Sequence, residues 1–255
     1  MNILVVLRAV RDPAGFTVNR KAQKIFVNRD VWIINPADLN ALEAALRLNG
    51  EGDTVTALAY GDEPAEAVLY QARAKGANRA EWVRGPGLRG ADAGVVTKVI
   101  ERVVARLGRV EVVTLGASVL DADLGQVGAR LAQALGWAFV PEAWGFEQAD
   151  GRVRAVQQRP DGFRRVEADG PVVATIVADC NKPRHAPAAQ IINVYAEAQA
   201  IEVIEPADLG LDESDLVSST RVLGEQFPPE RTWGKRVEGG VEAAAREIAA
   251  TLPVR

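Results

Sequence analysis

The residues best suited to chemistry in this sequence follow the ends of apolar runs, and their types favour nucleotide binding. Val6 lies near the end of the first run, residues 35–38 open a helical pattern, Tyr60 ends a second run, and residues 116–118 follow a third. In open α/β sheets a ligand binds at the carboxyl ends of the strands, because loop amides and helix N-termini point there. We therefore predict that these segments converge on one nucleotide.

The loop at residues 120–128 is a candidate phosphate site. Gln126 falls in the first turns of the helix predicted to follow, where free backbone N–H groups and the positive end of the helix dipole would attract an anion. Asp121 and Asp123 could instead cap that helix, and carboxylates repel phosphate. No lysine lies in this loop. The residues alone leave phosphate binding and plain helix capping both open.

A literal G-x-G-x-x-G pattern, formed by Gly85, Gly87 and Gly90, follows another apolar stretch. In a dinucleotide site such glycines let a pyrophosphate approach closely, and a carboxylate about 20 residues later ends the next strand and holds the ribose. Here Glu111 begins its strand instead, and Pro86 removes a backbone N–H from the loop. We therefore interpret the pattern as a solvent-exposed turn.

The composition argues against several other chemistries. The 255 residues include one cysteine, Cys180, and one histidine, His185, so an internal disulfide and a multi-thiolate or multi-histidine metal centre cannot form. We predict no metal site, and a Ser-His-Asp triad would have to use His185. A net charge of −4 gives no reason to expect nucleic acid or an anionic membrane as a general partner.

The first residues do not resemble a targeting segment. The apolar run at residues 3–7 ends at Arg8 and is too short for a signal peptide or a membrane span. A single cysteine also fits a reducing compartment. We expect a cytoplasmic protein that does not insert into membranes.

Strand and helix patterns alternate through the first half of the chain and would position the candidate residues. Continuous apolar runs indicate strands covered on both faces, and they occupy residues 3–7, 53–60, 110–115 and 171–177. Helical periodicity occupies residues 36–48, 63–75, 91–107 and 125–135. This order predicts a doubly wound, mostly parallel α/β sheet of the Rossmann-like kind that binds nucleotides.

From residue 137 onward the pattern changes to short stretches that alternate polar and apolar side chains. Two of them, residues 152–156 and 163–167, flank Pro160-Asp161-Gly162, which predicts a β-hairpin. After Ile192 the periodicity fades. We therefore place the end of the nucleotide-binding domain, residues 1–192, at this point.

Residues 193–255 are interpreted as a C-terminal extended arm. Within them, residues 202–233 are rich in Pro, Asp, Glu and Ser and hold too few apolar side chains for a core of their own. Such a segment usually persists because it lies on the surface of another protein. A final helix, predicted at residues 241–252, has an alanine-rich face suited to docking.

Several short stretches, taken together, resemble the beta subunit of electron transfer flavoprotein over nearly the whole length. No single stretch decides this, but their order and spacing together are specific. The matching pieces are Arg11-Asp12-Pro13, Asn35-Pro36, residues 41–48, residues 74–80, Asp121-Ala122-Asp123 with Gln126-Val127-Gly128, Asn181-Lys182-Pro183-Arg184, residues 201–210 and residues 228–232.

The resemblance implies a heterodimer with an alpha subunit that carries most of a redox-active FAD, while the beta subunit holds an AMP. Electrons would enter from a dehydrogenase and leave to a quinone reductase or another acceptor, and this subunit would have no catalytic residues. The family's nucleotide contacts, carried over by position, fall on Val6, Asn35, Pro36, Ala37, Asp38, Tyr60, Gly116, Ala117, Ser118, Val119, Leu120, Asp121, Ala122, Asp123, Leu124, Gly125, Gln126 and Val127.

The chain departs from the family at two places. Ala117 and Ser118 stand where the family usually has a Lys or Arg and a Gln, so a ligand anion would rely on amides and Gln126. The loop that docks onto dehydrogenases usually presents a leucine, and here it has Ala188. The resemblance also implies that the loop at residues 10–13 approaches the partner's flavin ring.

Two alternatives to an AMP-binding subunit stay open. In electron-bifurcating relatives the beta subunit binds a second FAD. We favour AMP because Ala117 and Ser118 offer nothing to a longer ligand. The other alternative is a stand-alone adenine-nucleotide-binding enzyme or sensor, and the long arm argues against it.

Overall fold

A nine-stranded sheet with helices on both faces forms the body of the protein in the computed structural model. The structure describes residues 1–252 apart from 86, 89, 122–124, 150, 151, 198, 199, 230–233 and 235. The strands are β1 (Asn2–Leu7), β2 (Ala9–Arg11), β3 (Phe16–Asn19), β4 (Lys24–Val27), β5 (Trp32–Ile34), β6 (Thr54–Gly61), β7 (Arg79–Arg84), β8 (Val112–Gly116), β9 (Ala138–Ala149), β10 (Arg152–Arg159), β11 (Gly162–Ala168), β12 (Val172–Ile176) and β13 (Glu202–Ile204). The helices are α1 (Pro36–Leu48), α2 (Glu63–Lys75), α3 (Ala93–Leu107), α4 (Val127–Leu135), α5 (Ala188–Ala196) and α6 (Val241–Thr251).

The strand order places a topological switch between β1 and β8. The order is β11-β10-β9-β12-β8-β1-β6-β7-β13, and the pairs from β9 to β13 are parallel. From β1 the chain moves outward through β6 and β7, then returns to β8 on the other side of β1. The predicted α/β class, with a mostly parallel sheet, is confirmed. The predicted hairpin forms the antiparallel pair β10 and β11 at one edge.

The apolar run of β1 is explained by helices on both of its faces. Ile3, Val5 and Leu7 pack in the cluster that contains α1 and α2. Leu4 and Val6 point the other way, into the cluster that contains α3 and α4. Since successive side chains of a strand alternate between faces, a strand covered on both must be apolar throughout.

The helix boundaries follow from local sequence signals. Both α1 and α2 have the predicted bounds, with a proline in the first turn of each. Gly76 ends α2 in a left-handed conformation at φ 118°. Asp92 caps α3, accepting hydrogen bonds from Gly94 N and Val95 N at 3.0 Å, so this helix begins two residues later than predicted, at Ala93. No helix in the described part of the chain is long and apolar enough to cross a membrane.

The C-terminal segment has two parts. Its beginning joins the body, because β13 pairs in parallel with β7, and Leu209 and Leu211 are buried in the cluster that contains α3 and α4. Farther along, Val222 and Leu223 are 81% and 91% exposed, and α6 buries none of its residues. The division of the chain at residue 193 stays a prediction, and residues 202–211 contribute to the body.

Candidate nucleotide-binding site

Three strand ends and one helix start meet at the switch point. Val6 lies near the end of β1, Tyr60 near the end of β6, Gly116 at the end of β8, and α1 begins beside them at Pro36. Connections that leave neighbouring strands toward opposite faces of a sheet open a crevice between them. The structure thus brings together the strand ends singled out by the sequence; nucleotide binding there stays a prediction.

Asp38 ties the first turn of α1 to the ends of two strands. Its side chain is 3% exposed, and its two carboxylate oxygens accept hydrogen bonds from Gly116 N at 2.6 Å and Arg8 N at 2.9 Å. Burial raises the pKa of Asp38 to about 6, although these hydrogen bonds and the charge of Arg8 act to lower it. Since both oxygens accept hydrogen bonds from the backbone, Asp38 holds the ends of β1 and β8 against the first turn of α1.

Asn35 holds the loop that follows β8. Its Nδ2 donates to Ser118 O at 2.8 Å, and its Oδ1 accepts from Leu120 N at 3.2 Å. Its own backbone N–H donates to Arg8 O at 2.9 Å. Asn35 is 1% exposed, and its amide is used to fix residues 118–120 against the start of α1.

Gly116 is required by the closeness of β8 and α1. A Cβ atom at this position would lie 2.5 Å from Asp38 Oδ1 and 2.7 Å from Ala37 Cβ. Both distances are shorter than van der Waals contact, so only glycine allows this approach. The neighbouring Ala117 continues the strand contact by donating its backbone N–H to Ile176 O at 2.8 Å.

Two adjoining cavities lie at this edge. They enclose about 20 Å³ and about 80 Å³, and Arg8 and Tyr60 line both. Pockets that hold small molecules typically measure roughly 300–1,000 Å³, so a nucleotide would require the walls to move apart. The other lining residues are Val6, Asp38, Val96, Leu115, Gly116, Val119 and Val127 in the inner cavity and Ala9, Trp32, Gly61, Asp62, Pro64, Ala65, Leu88, Gly90 and Asp121 in the outer one.

Arg8 is a candidate binding residue that the sequence analysis missed. It directly follows β1, and its Nη1 is buried without a hydrogen-bond partner among the described residues. The signal in the sequence was a cation placed where a buried strand ends. Tyr60, which was predicted, lies beside it; burial raises the pKa of Tyr60 to about 12, so its hydroxyl stays protonated at neutral pH.

The predicted phosphate loop is only partly described. Ala122, Asp123 and Leu124 lie outside the described residues. Asp121 lines the outer cavity and does not cap α4, whose N-cap position is taken by Gln126 without a side-chain capping bond. Gln126 is exposed, and its Oε1 accepts from Arg130 Nε at 3.1 Å. It does not line either cavity.

The glycine pattern near residue 85 lies beside the outer cavity. Leu88 is 1% exposed and lines that cavity together with Gly90. The expectation of a solvent-exposed turn is therefore wrong for Leu88, which anchors the turn in the core. Pro86 and Arg89 lie outside the described residues. Among the described side chains, no group of three or more His, Cys, Asp or Glu could hold a metal ion.

Comparison with known proteins decides the family. A family model described as "Electron transfer flavoprotein domain" matches residues 24–209. The chain belongs to the electron transfer flavoprotein family. The beta subunit of electron transfer flavoprotein from Thermoanaerobacterium thermosaccharolyticum is 27% identical, with 100% of this chain and 99% of the relative covered. That of Megasphaera elsdenii is 30% identical, with 92% and 90% covered.

Another relative is, by its name, a subunit of a complex. It is named caffeyl-CoA reductase-Etf complex subunit CarD, from Acetobacterium woodii, and it is 28% identical over 99% of this chain and 96% of the relative. The resemblance inferred from the short stretches is thus confirmed along the whole chain.

One of those stretches, residues 181–184, is held against α1 by a polar network. Asn40 and Asn181 exchange hydrogen bonds, with Asn40 Nδ2 donating to Asn181 O at 2.8 Å and Asn181 Nδ2 donating to Asn40 O at 3.0 Å. Arg184 Nε donates to Glu43 Oε2 at 2.9 Å. Burial acts to raise the pKa of Glu43, but hydrogen bonds from Arg184 and Arg47 outweigh it and lower the pKa.

The helix that follows, α5, begins at Ala188, where the family resemblance leads one to expect a leucine. It packs on α2 through stacked rings of Tyr70 and Tyr195, whose centroids are 4.5 Å apart. Its outer face presents Ile191 and Ile192, which are 41% and 68% exposed. The surface at this position is therefore apolar, although the expected leucine is absent.

Proposed function

We propose that this chain is the beta subunit of a heterodimeric electron transfer flavoprotein, an electron carrier between dehydrogenases and an acceptor such as a quinone reductase. The observation that carries this proposal is the similarity to beta subunits along the full length of the chain. The redox chemistry would be supplied by an FAD held mainly by the alpha subunit. This chain would shape the surroundings of that flavin and would contribute no catalytic residues.

We propose further that the switch-point site holds a structural AMP. Three features fit an adenylate. Apolar side chains line much of the inner cavity, glycine at position 116 allows the loop backbone to lie close to α1, and Arg8 Nη1, which has no hydrogen-bond partner among the described residues, offers a donor. Asn35 and Asp38 would act on the nucleotide indirectly, since their side chains hold the loop.

The C-terminal segment would bind the alpha subunit. Val222, Leu223 and Val241 are 81%, 91% and 88% exposed, and such strongly exposed apolar side chains, two of them adjacent, favour an interaction surface. The loop at residues 10–13 would approach the partner's flavin. There Arg11 stacks over the ring of Trp32, with 5.3 Å between the guanidinium carbon and the ring centroid.

A second FAD in place of AMP is the alternative that a specific observation favours. The outer cavity extends the inner one past Arg8 and Tyr60, in a direction that a longer ligand could follow.

Copurification tests both proposals. The full chain is expressed with a candidate alpha subunit, the complex is isolated by gel filtration, and the ligands released by denaturation are identified by mass spectrometry. We expect a one-to-one complex that releases one FAD and one AMP. Two FAD per complex would establish the alternative. A compact monomer that does not bind the alpha subunit would overturn the subunit proposal. A complex that releases no adenine nucleotide from this chain would overturn the proposal of an AMP site.

A further inference from the structure

Arg8 is a polar residue of the site whose hydrogen bonding is incomplete within the described part of the chain. Its Nη1 is buried without a partner among the described residues. Its neighbour Asp38 does not satisfy it: the backbone N–H groups of Arg8 and Gly116 donate hydrogen bonds to its two oxygens, and Arg8 Nη1 does not. A buried charged donor without an acceptor is unfavourable, so a ligand that supplies the acceptor gains affinity.

Arg8 lies between the two cavities and lines both of them. If the walls of the inner cavity move apart to admit a base, its sugar and phosphate would extend toward the outer cavity beside Arg8 and Tyr60, the two residues that line both cavities. The loop at residues 116–126, which would otherwise cradle the phosphate, contains no lysine or arginine. Gln126, the residue we expected to bind the anion, is exposed and bonded to Arg130.

The charges around the two cavities indicate that binding of an anion there depends on Arg8. Among the described residues that line them, Arg8 is the cation, whereas Asp38, Asp62 and Asp121 are acidic. Without Arg8, the charged side chains among these described lining residues would all be carboxylates. With it, the planar guanidinium offers a charge-assisted hydrogen bond from a position already buried.

We propose that Arg8 binds the phosphate of the adenylate and replaces the cation missing from the loop at residues 116–126. This inference rests on the proposed adenylate site. It assigns the recognition of the anion to the end of β1 instead of the start of α4.

The test compares two ligands that differ only in the phosphate. The full chain, in complex with its alpha subunit and stripped of nucleotide, is titrated calorimetrically with AMP and with adenosine. Arg8→Gln should lower AMP affinity about 10- to 100-fold and leave adenosine affinity within about twofold. Arg102→Gln, an equal loss of charge on the exposed side of α3, should change neither.

Equal losses for both ligands, or unchanged AMP affinity, would overturn the role of Arg8. If Arg8→Gln fails to fold, Arg8→Lys keeps the charge without the planar fork; it should lower the AMP-to-adenosine affinity ratio several-fold, and an unchanged ratio overturns the inference. A wild-type complex that binds neither ligand would overturn the adenylate site itself, a result distinct from unchanged ratios in the Arg8 variants.

A crystal structure of the wild-type complex with AMP needs no variant. We expect Arg8 Nη1 within about 3 Å of a phosphate oxygen, the usual distance for a charge-assisted hydrogen bond. A phosphate held only by the N-terminal amides of α4, with Arg8 turned to the base or the ribose, would overturn the inference.

Discussion

The switch-point edge buries polar side chains, whereas the C-terminal segment exposes apolar ones. At the edge, Asn35 and Asp38 are 1% and 3% exposed, and the backbone of the same chain satisfies their polar atoms. In the segment, Val222 and Leu223 are 81% and 91% exposed. At the edge the chain itself thus satisfies the polar atoms of these two buried side chains, whereas the segment presents exposed apolar surface of the kind that other molecules bind.

A substitution at Gly116 should show the largest effect on the edge. In Gly116→Ala the new Cβ would overlap Asp38 Oδ1 at 2.5 Å and Ala37 Cβ at 2.7 Å. We expect the free energy of unfolding to fall by about 3 kcal/mol, measured by urea denaturation. Gly224→Ala in the segment is the matched control, because nothing lies within 4 Å of its Cβ position. Equal effects of the two substitutions would abolish the contrast between the regions.

Asp38 should make the stability of the edge depend on pH. Burial raises its pKa from 3.8 to about 6, so the folded state holds the proton more tightly than the unfolded state. This contribution is complete below about pH 4 and is lost as pH rises through about 6. Relative to Asp38→Asn, the wild type should lose about 2 kcal/mol of unfolding free energy between pH 4 and pH 7 in urea titrations. Parallel profiles would contradict the burial of a titrating carboxyl.

Asp92 connects the segment to the body and should show an intermediate effect. Its Oδ1 caps α3, and its Oδ2 accepts from Ser219 N at 2.6 Å and Thr220 N at 3.0 Å. Asp92→Ala should cost about 1 kcal/mol and speed proteolysis near residue 219, followed by mass spectrometry. Asp92→Asn keeps an acceptor for the cap and should be milder. Unchanged proteolysis in both variants would show that this contact does not hold the segment.

Leu223 should show the smallest effect on stability. Because its side chain is 91% exposed, Leu223→Asp should change the unfolding free energy of the full chain by less than about 0.5 kcal/mol. The same substitution should weaken binding to the alpha subunit, measured by calorimetry, since it places a charge on the proposed interface. Loss of stability without loss of binding would reverse the assignment of this segment.

Much of the fold could be predicted because single residues mark its elements. The apolar run of β1 follows from cover on both faces, and Gly76 and the first-turn prolines set the bounds of α1 and α2. Local pattern could not reveal β13, because three residues are too few to show a period. It also gave no sign of α5 or of the antiparallel pair β3 and β4, whose apolar side chains are exposed.

The candidate site could be located but not understood from sequence. Strand ends and the family resemblance pointed to residues 35–38 and 116–127, and the structure places Asp38, Gly116 and Val127 around one cavity. The roles of the side chains could be found only in the three-dimensional structure, since Asn35 and Asp38 form hydrogen bonds with residues about 80 positions away. Arg8 was missed because one cation after a strand resembles an ordinary strand end.

The pairing of β13 with β7 has a consequence for solubility. Residues 202–204 cover the backbone N–H and C=O groups of β7 that would otherwise form a free edge of the nine-stranded sheet. Uncovered edges recruit strands from other molecules and promote aggregation. Truncated versions of this protein should therefore extend past Leu211. Removal of residues 202–204 would leave β7 as an uncovered edge that can pair with strands of other molecules.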